Sequence, residues 1–471
     1  MSIALPAFGP TDIDNPAAAM VMVDQQSQME LGLKHKGYTF PVVTTHDYVT
    51  GEEVATDPSL DITTVMFGLR AAAPRLTPKF LREYGNTTIF VNLRTPPGPS
   101  VYPIIDPNIP EAYSIRVEED ILNLQLGVAF PLPAGFAIGL GGHQVATFYM
   151  PVDGGSLGLT GEIYSNPSYG DTLYGDITMS LQTNEIPFIA AFLALPMFGL
   201  SWDVGQAIPA LDGLRFGFVH RARHEIPFDM EMSIQQMVVD LSVQGEEVSM
   251  VSPTETDPET GEQVPSEEPL LETVFPTLHM VYIPSNTGVS LGWDAPRWRT
   301  EVSVRKRNYS QMTFGYFGVD EELASTTITG STEGTDGEQD IEITFTMDMG
   351  FANDWADKIV LRDVYEWNLY GAIQAANFHD KAPLWIEARM YYRPSYIVSQ
   401  EESHILDPAV FTAGLSAFQT IPFGDGYGVD VRLGFDAGKL RLENAGRPGS
   451  YAQPSPDGFV FGGGGTVTYR F

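Results

Sequence analysis

The sequence predicts an all-β fold, a transmembrane antiparallel β-barrel of about fourteen strands with a small N-terminal hatch, and three observations carry that expectation. Segments of alternating apolar and polar residues recur from Gln28 onward. Short proline–glycine turns follow some of them, whereas long acidic or glycine-rich connections follow others. The last segment, Gly465-Thr466-Val467-Thr468-Tyr469-Arg470-Phe471, is a period-two strand that ends on an aromatic residue. In a soluble sheet such a strand is an open edge, normally blunted by charge or proline. Barrel closure removes the edge by pairing the last strand with the first.

Composition agrees and narrows the function. A chain of 471 residues does not force a domain split, because barrels run long as single domains. Charged residues make up 18%, below the ~25% of an average globular chain, while Gly, Tyr and Phe are abundant at 46, 20 and 27 residues. Cysteine is absent, which excludes disulfides, thiolate metal ligands and a thiol nucleophile. The formal charge of -34 argues against nucleic acid as a partner, since polyphosphate would be repelled. No run of ~18 apolar residues is present for a transmembrane helix; the nearest approach, 186–200, is cut by Pro187 and Pro196. A secretory leader is not visible from Met1 onward, so an outer-membrane location implies that the leader is not part of this sequence.

Taken in order, residues 1–26 form the expected hatch and 27–471 the barrel. Within Asp14-Asn15-Pro16-Ala17-Ala18-Ala19-Met20, Pro16 pushes Asn15 toward extended backbone, after which one short helical turn fits. A small-residue segment of this kind suits a plug, and equally a frayed terminus. Strands then begin near Gln28, Thr63, Thr87, Ile121, Phe136, Phe198, Leu214, Thr273, Arg299, Val360, Leu384, Phe411, Tyr427 and Phe459, with the regions around Val289 and Ile341 able to add or remove one. Leu122, Leu124, Leu126, Val128 and Phe130 share one face against Asn123, Gln125 and Gly127. Leu214, Phe216 and Phe218 stand against Arg215 and Gly217 in the same way, as do Val429, Val431, Leu433 and Phe435 against Asp430 and Arg432. Apolar outside and polar inside is the pattern of a barrel in lipid.

An aromatic or isoleucine followed by Pro-x-x-x-Gly occurs at Phe130–Gly135, Ile208–Gly213, Ile283–Gly288 and Ile421–Gly426. Proline ends a ladder by removing a donor and glycine permits the turn, so the four are expected on one rim. The long connections, near 149–185, 244–271, 318–339, 399–407 and 444–457, are expected on the other.

With the strands, the turn rim and the terminal Phe471 in place, Asp14-Asn15-Pro16-Ala17-Ala18 resembles the Asn-Pro-Ala segment of the N-terminal hatch in the outer-membrane long-chain fatty acid transporter family, the FadL-like proteins. Leu122 to Gly142 looks like that family's early hairpin, and Leu214 to Arg223 like its later strand with a Tyr-Arg-Ser core. The glycine- and alanine-rich stretch that precedes the family's motif is mostly missing, which implies a shorter hatch. The resemblance implies a hatch motif at Asn15, Pro16 and Ala17, and passive uptake of hydrophobic compounds, long-chain fatty acids or hydrocarbons. Release through a sidewall gap is implied as well, and the glycine run Gly462 to Gly465 is a place where strand pairing would be weak.

Two groups of residues are candidates for function. On inward faces lie Arg215, Arg221, Arg223, Arg305, Arg307, Arg389, Arg393 and Arg432, alternating with Glu301, Glu387 and Asp430. They form either a structural ladder of ion pairs or a site where a guanidinium captures a carboxylate head group by paired hydrogen bonds. Phe188, Phe192, Leu193, Leu195, Met197 and Phe198 form an apolar cluster, either an outer capture site for lipid-like molecules or the lipid-facing start of a strand. His220 and His224 would stand about 13 Å apart along a strand, too far to share a metal. No Gly-x-Ser-x-Gly, His-Glu-x-x-His or phosphate-loop pattern occurs. The expectation is therefore a monomeric, non-enzymatic channel of the bacterial outer membrane, with no catalytic residue, metal or cofactor. Its expected partners are membrane lipid and hydrophobic small molecules. The alternative is a structural or surface-interaction barrel with acidic extracellular loops and no transport role.

Overall fold

The computed structural model describes residues 3–5, 14–19, 27–39, 43–46, 53–56, 59–94, 101–104, 113–116, 122–149, 156–164, 174–183, 189–228, 234–243, 246–252, 254–256, 263–265, 278–311, 324–334, 337–347, 360–377, 382–398, 405–423, 427–442, 452–454 and 457–471. Fourteen strands form one closed wall. They are β1 (Gln28–Thr39), β2 (Ser59–Ala72), β3 (Thr88–Arg94), β4 (Leu122–Pro131), β5 (Phe136–Tyr149), β6 (Ile189–Asp203) and β7 (Leu214–Arg221). The second half is β8 (Asn286–Ala295), β9 (Trp298–Arg307), β10 (Val364–Asn377), β11 (Pro383–Arg393), β12 (Ala409–Pro422), β13 (Gly428–Arg441) and β14 (Asp457–Arg470). Each pairs with its neighbours in sequence, and β14 returns antiparallel to β1 over Gln28↔Arg470 to Thr39↔Phe459. Backbone bonds between Ser27 and Phe471, 3.0 and 3.1 Å, extend that seam by one pair.

The period of two decides which way each strand faces. On β13, Leu433 and Phe435 are 65% and 62% exposed while Asp430 is 1% exposed, so the apolar row is outside and the polar row inside. The same holds for Leu31 and Leu33 against Glu30 on β1, and for Leu291 against Ser290 on β8. A belt of exposed apolar side chains around a wall closed by inter-strand pairing is what a bilayer requires. No helix of the described residues is long and apolar enough to cross a membrane, and crossing is by strands.

Apart from residues 73–87, which are as long as the shortest connections opposite, connections leaving even-numbered strands are shorter than those leaving odd-numbered strands, so the two rims differ as expected. Pro133–Gly135 joins β4 to β5, with Ala134 and Gly135 at φ 59° and 80°. A helical turn, α1 (Val204–Ala207), and Pro209–Leu211 join β6 to β7, closing at Gly213 with φ 89°. Ile421-Pro422 ends β12 on this same rim.

Two expectations change. The fourth copy of the turn, Ile283-Pro284 to Gly288, lies on the opposite rim: its proline ends a segment, Leu278–Ile283, that pairs with His224–Phe228 outside the wall, and Gly288 is already within β8. Proline terminates a ladder wherever it falls, so the motif marks a strand end without fixing the rim. The eighth wall strand is accordingly β8 at Asn286 rather than a strand near Thr273, which lies outside the described residues. The region around Ile341, left open by the sequence, pairs as a hairpin, Ala324–Gly334 with Gly337–Met347, in a sheet separate from the wall. Pairing runs without a register shift across Gly462 to Gly465 on both sides, since glycine keeps both backbone groups while removing side-chain packing.

Candidate functional site: the barrel lumen

The lumen is occupied in part by the chain's own N-terminal residues. Ile3, Ala4, Leu5 and Asp14 to Ala19 are all buried, Pro16–Ala19 as a single 3-10 turn. Ile3 and Ala19 pack with Phe90, Ala129, Met197 and Val219 on β3, β4, β6 and β7. Leu5 packs with Tyr370, Trp385 and Phe418 on β10, β11 and β12. The short stretch thus touches strands from both halves of the wall.

Its polar groups are met by the wall. Glu301, on the inward face of β9 and fully buried, accepts hydrogen bonds from the backbone N–H groups of Ile3 at 2.8 Å, Ala4 at 3.3 Å and Leu5 at 3.2 Å. Asn15 Nδ2 donates to the carbonyls of Ile3 at 2.9 Å and Leu200 at 3.0 Å, while its Oδ1 accepts from Ala17 N–H at 3.0 Å. Asp14 pairs with Arg305. Burial opposes ionisation of Asp14, but Arg305 leads a group of cations that outweighs it and holds the carboxyl below its ordinary range. Room for the turn comes from glycines on three adjacent strands: a Cβ on Gly139, Gly199 or Gly217 would collide with Ala17, Asn15 or Ile3.

Beside this segment the inward charges form a network. Glu387, fully buried, receives Arg432 Nε at 3.1 Å, the Tyr370 hydroxyl at 2.9 Å and the Ser416 hydroxyl at 2.6 Å. Arg307 pairs with Glu366 at 2.8 Å and Arg470 with Asp430 at 2.6 Å. Arg389 lies over the Tyr370 ring at 5.4 Å and Arg432 over the Phe418 ring at 5.7 Å. Between these side chains remains a cavity of about 400 Å³. Arg94, Arg305, Arg307, Arg389 and Arg432 line it with Lys34 and Lys36, against the carboxylates Glu366 and Asp436, so it is basic inside a strongly acidic protein.

The predicted residues divide accordingly. Asn15, Pro16 and Ala17 sit in the lumen, as do Arg305, Arg389, Arg432, Glu301 and Glu387. Arg215 also faces inward but nearer the short-turn rim, between Asp203 at 3.5 Å and Asp294 at 3.7 Å. Arg221 reaches His143 at 2.8 Å. Arg223 lies just past β7 and is exposed, bonded to Gln311 at 3.0 Å, so it is not an inward residue of the wall. Arg393 is engaged by both oxygens of Asp407 at 3.1 and 2.9 Å, a structural brace at the long-loop rim. His220 faces outward, with Nδ1 2.8 Å from the Thr287 hydroxyl. The apolar cluster is not brought to one surface: Leu195 is 2% exposed inside and Phe198 38% exposed outside, since their spacing is odd. Phe188 lies outside the described residues, as do the side chains of Phe192 and Leu193. Sequence reasoning missed the clamp on Glu301 and the three glycines; the glycines carried a signal, standing on polar faces where neighbours hold side chains.

The fold and lumen together define a closed fourteen-stranded membrane barrel with an internally docked N-terminal segment. No protein-family model and no curated protein matches the sequence. Among solved structures, the chain is similar to a FadL homologue of Pseudomonas aeruginosa at 9% identity and a TM-score of 0.48, over 100% of this chain and 98% of that one. It is similar to the toluene transporter TodX of P. putida at 11% identity and 0.47, and to the Ralstonia pickettii toluene transporter TbuX at 11% and 0.42; each covers 100% of this chain and 95% of the other.

Proposed function

We propose that the protein is a bacterial outer-membrane channel for passive uptake of hydrophobic compounds, long-chain fatty acids or hydrocarbons, with residues 1–26 as its hatch. The observation that carries the reading is the cavity of about 400 Å³ inside a closed wall, beside a segment held by discrete polar contacts. Met66, Tyr391 and the aliphatic arms of the arginines give this cavity apolar surface, and the guanidinium groups give it charge. Such a lining suits an apolar body with an anionic head. The outer capture site falls to Phe188, Phe192 and Leu193, leading to Leu195 on the lumen side, while Phe198 belongs to the lipid-facing row. A wall without free edges supports a monomer. The competing reading, a structural or surface-interaction barrel, draws on the extensive pairing of the lumen charges.

The test is uptake of a labelled long-chain fatty acid and a labelled aromatic hydrocarbon into liposomes carrying the refolded barrel, alongside Phe192→Glu. Uptake above empty liposomes that falls several-fold in the variant is the expected result. A folded barrel that passes neither compound replaces the channel with the structural reading.

A further inference from the structure

The connection from β2 to β3, residues 73–87, is the longest on the short-turn rim. It is internally bonded: Ala73 N–H donates to Thr87 O at 2.7 Å, Leu81 N–H to Pro78 O at 2.9 Å and Tyr84 N–H to Leu81 O at 3.0 Å. The buried Thr77 hydroxyl accepts Thr87 N–H at 2.7 Å and lies 3.3 Å from Ala73 O as donor, and Arg82 Nε reaches Thr77 O at 3.4 Å. Leu81 and Thr77 are turned in, while Leu76, Phe80 and Tyr84 are 60%, 75% and 44% exposed. Phe80 is the most exposed large apolar residue among the described ones. The segment keeps a set conformation with Thr77, Leu81 and Thr87 buried and Phe80 left out, the arrangement of a binding surface.

Charge and position say which. Arg75, Lys79 and Arg82 stand exposed beside the single carboxylate Glu83, in a protein of formal charge -34. The segment follows β2, whose outward row is Val65, Phe67 and Leu69, so it starts at the short-turn end of a lipid-facing strand. Exposed aromatic and aliphatic groups interleaved with cations suit the level where acyl chains meet headgroups.

We infer that residues 73–87 form a basic, aromatic foot that seats in the leaflet at the short-turn rim and engages anionic phospholipid headgroups there. Phe80 and Leu76 enter the acyl boundary, and Arg75, Lys79 and Arg82 meet the phosphates.

The chain has no cysteine, so single nitroxide labels can be placed without background. The full-length barrel carries Phe80→Cys, with Val65→Cys as the lipid-facing reference and Asp212→Cys as the aqueous one on the same rim. It is reconstituted in phosphatidylcholine vesicles with and without phosphatidylglycerol. The label at 80 is expected to be relaxed by oxygen more than by a water-soluble nickel chelate, as at 65, and to sit deeper with phosphatidylglycerol. Combining it with Arg75→Glu, Lys79→Glu and Arg82→Glu removes that lipid dependence and leaves the barrel's circular dichroism unchanged. A label at 80 as accessible to nickel as the one at 212, which would point to a soluble partner, overturns the inference. So does a depth indifferent to the anionic lipid.

Discussion

Asp14 and Arg305 hold the N-terminal turn by charge, and that makes docking sensitive to acid. The carboxyl has an ordinary value of 3.8 and a lower one in the fold, because Arg305, with Arg221 and Arg94 beyond it, outweighs burial. A carboxylate whose folded pKa is depressed adds stability that is fully present above its unfolded value and is lost as pH falls through the folded one. The segment is therefore expected to stay docked at neutral pH and to loosen only below pH 3.8, read as faster hydrogen exchange at the amides of Ala17 to Ala19. Asp14→Asn should weaken docking at pH 7 by about 3 kcal/mol, the scale for breaking an enclosed ion pair from one side, and should abolish the acid step. At this scale the sequence was half legible. Asn15-Pro16-Ala17 stood out, and the alternation put arginines inside. The partners did not stand out, because Glu301 meets residues 3–5, and Glu387 meets Arg432, only after distant strands are brought round one wall.

At the level of elements, alternation was the readable part. The faces of β4, β7 and β13 fall as their patterns require, since one side must meet lipid and a slip by one residue would invert every side chain. Turn chemistry was readable as strand ends, and misplaced only where a proline closes an excursion instead of a wall strand. The glycines of β5, β6 and β7 add a constraint that alternation cannot express. Gly199→Val would drive a side chain into Asn15 while leaving the outward face of β6 alone. The expected outcome is an intact barrel with a displaced turn, at a cost of about 1–3 kcal/mol for overpacking. Protection of an Ala18→Cys thiol from a water-soluble maleimide checks it: protected on the parent background, and labelled when combined with Gly199→Val.

For the molecule as a whole, the lipid belt and the lumen demand opposite chemistries one residue apart. Leu433 lies in the middle of β13 and is 65% exposed on the outward face. Leu433→Arg should cost about 2–4 kcal/mol, the range for a cation near the bilayer midplane, measured by urea unfolding in vesicles. Arg432, its neighbour, is tolerated because Glu387 receives it inside. Strand count and the contrast between rims were legible at this scale, as both follow from local patterns and connection lengths. The cavity was not, since its volume is what remains after side chains from nine strands have met.

The seam between β1 and β14 also has a consequence for assembly. It joins the two wall strands that lie farthest apart in the chain, so it carries the largest loop-closure entropy and the most non-local contacts of the barrel. Until it forms, two rows of amides face hydrocarbon without partners, a condition lipid does not tolerate. Insertion and closure are therefore expected to proceed as one cooperative event, with the bare backbone of Gly462 to Gly465 pairing with Leu33 to Lys36 at the middle of the seam.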